Sequence, residues 1–191
     1  MTSFISIIYV SLLSAPLFAA PTEVKFKGQA NFVSDAPMEK INGTGSATGA
    51  VQFDADAPET ITGKISVPLS SVETGNKKRD EHLRGADWLE ADKCPDITFD
   101  FKGAKLLDKK SKGEMNAYKL EVTGTFTVHC VSKPLKAVVS LKTKGALAKV
   151  DSSFDVVLKE YEIKGKSGYV GNKVGNAVKA SVRLKGKMGS K

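Results

Sequence analysis

Histidine and cysteine are nearly missing from this 191-residue chain: His82, His129, Cys94 and Cys130 are all it has. No pair of them has the CxxC or HxxxH spacing of a zinc or copper centre, so a metal site is not expected. A Ser/His/Asp order, a nucleophile elbow, a phosphate loop and an HExxH run are also absent, which leaves an enzymatic reading unsupported. Arginine is scarce too. Arg79, Arg84 and Arg183 are the only ones, so the net charge of +8 is carried almost entirely by lysine. Aromatics make up 7% of the chain and seldom interleave with the lysines, a poor match to a nucleic-acid surface. The lysines instead alternate with apolar residues, as Lys179, Arg183 and Lys185 do with Val178, Ala180, Val182 and Leu184. That pattern reads as a solvated strand exterior, compatible at most with transient contact at an anionic membrane surface.

Beyond residue 20 no apolar run is long enough to span a bilayer. Residues 1–20 carry no charged side chain, are apolar from Phe4 to Phe18 and end in Ala19-Ala20. This predicts a secretory signal peptide cleaved after Ala19, and with it a periplasmic or secreted protein. No cysteine ends the run, which argues against a lipoprotein anchor. Residues 21–191 are then one domain, long enough to bury a real core.

Within that domain the dominant signal is a period of two. Ile61, Gly63, Ile65, Val67 and Leu69 alternate with Thr62, Lys64, Ser66 and Pro68, and Ile97, Phe99 and Phe101 with Thr98 and Asp100. The longest run extends from Tyr118 to Cys130, and others include Phe26–Phe32, Leu135–Leu141, Phe154–Leu158 and Val178–Leu184. Such alternation marks half-buried strands. Turn signals divide them at Asp54–Pro58, Asp108–Gly113, Ser132–Pro134, Gly165–Gly168 and Gly171–Gly175. Several strands approach ten residues, which favours a tilted barrel over a sandwich. The inward phase mixes bulky residues with Gly28, Ala30, Gly63, Gly124, Ala137 and Ala180. Small residues there predict a cavity rather than a filled interior. The alternative is glycines placed at kinks of a dry core.

One segment breaks the alternation. Val72–Trp88, VETGNKKRDEHLRGADW, gathers charge into a short helical stretch between two strands and reads as a lid, plug or binding loop. The run SVxTGNxxRDxHLxxxxWLxxxxxPxITF (Ser71–Phe99), the later VTGTFTVHxVSKPL (Val122–Leu135) and the closing FDVVLKEYEIKG (Phe154–Gly165) resemble the YceI-like family. The resemblance covers about Val24 to Lys187, with the motifs in the same order. It implies an all-β fold, an antiparallel eight-stranded lipocalin-like barrel with a short helical segment near one end. It also implies a carrier without catalysis or a cofactor, binding an isoprenoid or similar amphiphilic lipid, and it is compatible with a homodimer. A dry structural or stress-response interaction module with no ligand is the alternative function.

On this reading Phe53, Leu69, Phe99, Phe101, Leu120, Phe126, Phe154 and Leu184, inward in their strands, line the lipid channel. Leu83, Trp88 and Leu89 cap it. Arg79, Asp80 and His82 match the motif residue by residue. They either meet a lipid head group or hold the lid, with Arg79 on a carboxylate and His82 in the same network. Cys94 and Cys130 depart from the family pattern, which commonly has an aromatic before Pro95 and a glycine after His129. A paired change in an exported chain points to a disulfide, with a free or intermolecular thiol as the alternative. A metal centre combining these cysteines with both histidines is disfavoured, because strand alternation puts His129 outward and Cys130 inward.

Overall fold

Each alternating run of the sequence becomes a wall strand. The computed structural model describes residues 22–35, 39–54, 57–167 and 169–188, so the signal-peptide expectation over residues 1–20 lies outside the described residues. The strands are β1 (Thr22–Asp35), β2 (Lys40–Phe53), β3 (Thr62–Pro68), β4 (Asp96–Lys112), β5 (Met115–Val128), β6 (Val131–Lys144), β7 (Leu147–Val157) and β8 (Ala177–Met188). They pair antiparallel in chain order, and β8 returns to β1 to close the barrel. Closure leaves no free sheet edge at the β1–β8 seam, where pairing runs from Val24↔Met188 to Ser34↔Val178. Helix α1 (Lys77–Arg84) lies in the β3–β4 connection.

One turn falls elsewhere than its composition predicts, and another narrows to the last residue of the expected stretch. Ser132–Pro134 belongs to β6, and the chain reverses one step earlier at His129–Cys130, between the paired Val128 and Val131. Both turn residues have positive φ, 52° and 57°, the signature of a two-residue type I′ hairpin. The reversal is therefore made by residues with no turn chemistry of their own. His129 and Cys130 are not consecutive strand residues, so the inward/outward distinction drawn for them does not apply. Asp108–Lys112 likewise continues β4, and the turn comes at Gly113, with φ 56°. Leu158 leaves β7 for a 3₁₀ turn, Leu158–Tyr161.

The wall is uneven. β6 and β7 pair only from Val139↔Ser152 to Lys144↔Leu147, so the first half of β6 has a ladder on its β5 side alone. Pro134 sits in that half, where a missing N–H is tolerated. The core runs the length of the barrel, from Val24, Val51 and Leu141 at one end to Val72, Leu89 and Ile163 at the other.

Candidate functional site

The Val72–Trp88 segment is built as an anchored cap. Asn76 starts α1, its side-chain oxygen accepting from the Arg79 N–H at 3.2 Å. Asp80, buried at 7% exposure, accepts from the Thr74 N–H at 2.8 Å and the Thr74 hydroxyl at 2.5 Å. Arg79 then ties the helix to the barrel. Its Nε donates to Thr74 Oγ1 at 2.9 Å and its Nη1 to Glu39 Oε1, just before β2, at 2.7 Å. Arg84 donates to the Val72 carbonyl at 3.0 Å. Both arginines thus have charge-assisted partners, although Glu39 is 60% exposed and its pair with Arg79 contributes modestly. Beyond the helix, Trp88 packs on Gly165. A Cβ there would come within 2.7 Å of the indole, and φ is +62°, so only glycine suits both demands.

Beneath the cap a run of cavities follows the barrel axis. The largest, about 320 Å³, opens between α1 and the 169–174 segment. Its floor is apolar (Phe32, Leu83, Trp88, Ile163), while Lys78, Arg79, His82 and Lys173 stand at its rim. Phe32, Leu83, Leu89 and Val178 also wall the next cavity, of about 170 Å³. Phe126, Phe154 and Val182 are shared between that one and a third, of about 100 Å³. Phe101, Val150 and Leu184 separate the third from the last, of about 70 Å³, at the far end. The shared walls line the four cavities up along the barrel, and the three inner ones are walled mainly by apolar side chains.

Of the residues expected to line the channel, Phe53, Leu83, Trp88, Phe99, Phe101, Phe126, Phe154 and Leu184 each border one or more of these cavities. Aromatic edges constrict the lumen, with Phe126 T-shaped against Phe154 at 5.4 Å and Phe99 against Phe101 at 4.8 Å. Leu69 and Leu120 border none of the four. They are 1% and 2% exposed, packed in the core beside the lumen. Arg79 and Asp80 hold the cap together, whereas His82 is exposed on the mouth and makes no hydrogen bond in that network among the described residues. Asn76, Lys78, Tyr169 and Lys173 also border the mouth. Tyr169 and Lys173 lie in an irregular, glycine-rich segment whose sequence shows no periodicity that would have singled them out.

The small inward residues divide into two kinds. Ala30, Ala137 and Ala180 border the lumen. The glycines do not open it. A Cβ at Gly124 would lie 2.5 Å from the Phe99 ring, and at Gly28 or Gly63 it would meet neighbouring backbone. Those positions serve close approach of a neighbouring ring or backbone.

Cys94 and Cys130 are joined, with sulfurs 2.02 Å and Cα atoms 5.4 Å apart. The bond ties the chain leaving the cap to the β5–β6 hairpin. Around it, His129 Nδ1 lies 3.0 Å from the Tyr161 carbonyl, and Lys93 Nζ is 2.5 Å from Glu90 Oε1. The Glu90 carboxylate raises the Lys93 pKa, its hydrogen bond contributing most. Burial raises the Tyr161 phenol above its usual 10.0, with Glu160 adding to the effect.

The YceI-like domain family model matches residues 18–186. A UPF0312 protein of Pseudomonas fluorescens is 32% identical over 129 residues, covering 65% of this chain and 64% of the relative. A UPF0312 protein of Pseudomonas aeruginosa is 29% identical over 126 residues, covering 61% and 59%. The chain thus spans less than two thirds of the length of these relatives. Among solved structures, BcnA of Burkholderia cenocepacia superposes with a TM-score of 0.70 at 18% identity, over 82% of this chain and 94% of that one. A polyisoprenoid binding domain from Saccharophagus degradans, implicated in plant cell wall breakdown, superposes at 0.68 and 13% identity, over 90% and 100%. At such identities the likeness is one of fold.

Proposed function

The chain belongs to the YceI-like family, and from that premise we propose that it is a periplasmic or secreted carrier holding an isoprenoid or similar amphiphilic lipid in its barrel. The observation that carries the reading is a file of mainly apolar cavities along the barrel, with cationic side chains bordering only the outermost of the four. Each methylene-like group of a tail entering it contributes about 0.8 kcal/mol of burial. A polar or anionic head left at the mouth meets Lys78, His82 and Lys173, while Arg79 stays with Glu39. No bond is made or broken in such a role. The binding activity of the Saccharophagus domain is in keeping with it. Export is in keeping with the Cys94–Cys130 bond, since disulfides persist in oxidising compartments. Among the described residues no helix is long and apolar enough to cross a membrane.

The test is a plug. Ala137 borders the 100 Å³ cavity at mid-lumen, and Ala137→Phe fills it. Overpacking there costs about 1–3 kcal/mol, which a domain of this size tolerates. The variant is expected to melt cooperatively and to lose retention of a dansylated polyprenyl phosphate. Should it not fold, Ala180→Leu in the 170 Å³ cavity takes its place. A folded, plugged variant that retains the probe as well as the parent overturns the carrier reading.

A further inference from the structure

Strand register brings the lysines together in a way their spacing in sequence does not show. Lys142 on β6 lies directly opposite Lys149 on β7, Lys149 opposite Lys185 on β8, and Lys185 opposite Lys27 on β1. All four are exposed. Directly opposed residues have Cβ atoms roughly 4.5–5.5 Å apart, and like charges so placed are destabilising. Among the described residues none of these four lysines forms an ion pair.

The neighbouring row, nearer the β6–β7 turn, alternates charge with exposed apolar side chains. Met115 lies opposite Lys144, Lys144 opposite Leu147, and Leu147 opposite Lys187. Leu147 is 60% exposed and Met115 48%. One row further toward the mouth the charges balance: Asp151 is paired with Arg183 at 3.0 Å. On this face of the wall the opposed lysines therefore gather at the hairpin end, far from the α1 mouth.

We propose that this patch, centred on the β6–β7 hairpin, docks the protein on an anionic lipid bilayer. Leu147 and Met115 at the hairpin tips enter the interface. The lysines around them keep their ammonium groups among lipid phosphates while their stems cover apolar surface. Contact with anions removes the mutual repulsion that opposed lysines suffer in water. A nucleic acid fits less well, because the patch offers no aromatic face for bases and its neighbouring arginine is already paired. The inference concerns the outer wall and does not rest on what the lumen holds.

The experiment is co-sedimentation of the full chain with vesicles of 30% phosphatidylglycerol in phosphatidylcholine, against pure phosphatidylcholine. Every variant keeps the same residues 1–20, so differences between variants report the patch. Binding is expected to be stronger with the anionic vesicles and should weaken as salt rises. Lys149→Gln/Lys185→Gln should bind about twentyfold more weakly, near fivefold per lysine, and melt no lower than the parent. Lys136→Gln/Lys159→Gln removes the same charge elsewhere on the surface and should lose less than about threefold, and Leu147→Ser should bind several-fold more weakly. The Ala137→Phe variant should dock like the parent, which separates docking from cargo capture. Equal losses for the two lysine pairs, or no preference for anionic vesicles, overturn the proposal. So does single-stranded RNA competing at concentrations that leave half the vesicle sites occupied.

Discussion

Replacing both cysteines tests how the cap is held to the barrel, and the size of the effect follows from two features of the structure. The Cys94–Cys130 bond closes a loop with a sequence separation of 36 residues. In the chain-entropy account a loop of that length stabilises by about 3.8 kcal/mol at 25 °C. The second feature works against it. Cys130 sits at φ 57° in a type I′ turn, a conformation that costs a side-chain-bearing residue about 1–2 kcal/mol and a glycine almost nothing. Alanine at position 130 keeps that cost and glycine relieves it, so the two replacements should differ. Cys94→Ala/Cys130→Ala should lose about 4 kcal/mol, and Cys94→Ala/Cys130→Gly about 3. For a domain of this length each kcal/mol moves Tm by about 2–4 °C, so the first variant should melt about 8–15 °C lower. The glycine variant should recover a few degrees. Calorimetry with matched urea melts reads both. Equal Tm values for the two double variants would refute the turn argument, and a loss below about 1 kcal/mol for both would refute the loop argument.

Gly165→Ala puts a methyl group into the Trp88 ring at a left-handed position, and should cost about 1–3 kcal/mol. As Trp88 is the sole tryptophan, its emission should shift red as the indole lifts, and unchanged emission would argue against the packing described. Alkaline pH should destabilise the fold through Tyr161. Its folded pKa is raised, so above pH 10.0 the unfolded phenol ionises first, the unfolded state binds fewer protons, and stability falls as pH rises. Tyr161→Phe should flatten urea stability in that window, and an unaltered slope would contradict the assignment.

How much of this was legible in the sequence depends on what each side chain carries. Alternation in β3, β5 and the start of β4 is written in bulky apolar residues, and a period of two is all a wall strand needs. In β2 the inward positions include Ile41, Gly43, Gly45 and Ala47. A strand whose inner face is mostly glycine and alanine has little hydrophobic contrast, so only its end at Gly49–Phe53 stands out. The β5–β6 turn was hidden for the opposite reason. Ser132-Lys133-Pro134 has turn composition but lies in a half-strand with one free side, while His129-Cys130 makes the turn. The cap was readable because Asn76, Asp80 and Arg79 act locally, within six residues of Thr74. Glu39, the partner of Arg79 forty residues away, was not. The lumen was half legible: inward phase found Phe101, Phe126, Phe154 and Leu184, but phase alone does not separate a cavity wall from a packed neighbour such as Leu120. The opposed lysines were invisible, since only cross-strand register sets one against another.

Native mass spectrometry of protein purified without detergent from an exporting host, followed by organic extraction, bears on the lumen itself. One stoichiometric added mass is expected that partitions into solvent, is absent from Ala137→Phe, and returns when delipidated parent protein is incubated with polyprenyl phosphate. A clean apo mass that persists after incubation with isoprenoid quinones and polyprenyl phosphates would contradict it and leave a barrel that works through its outer wall alone.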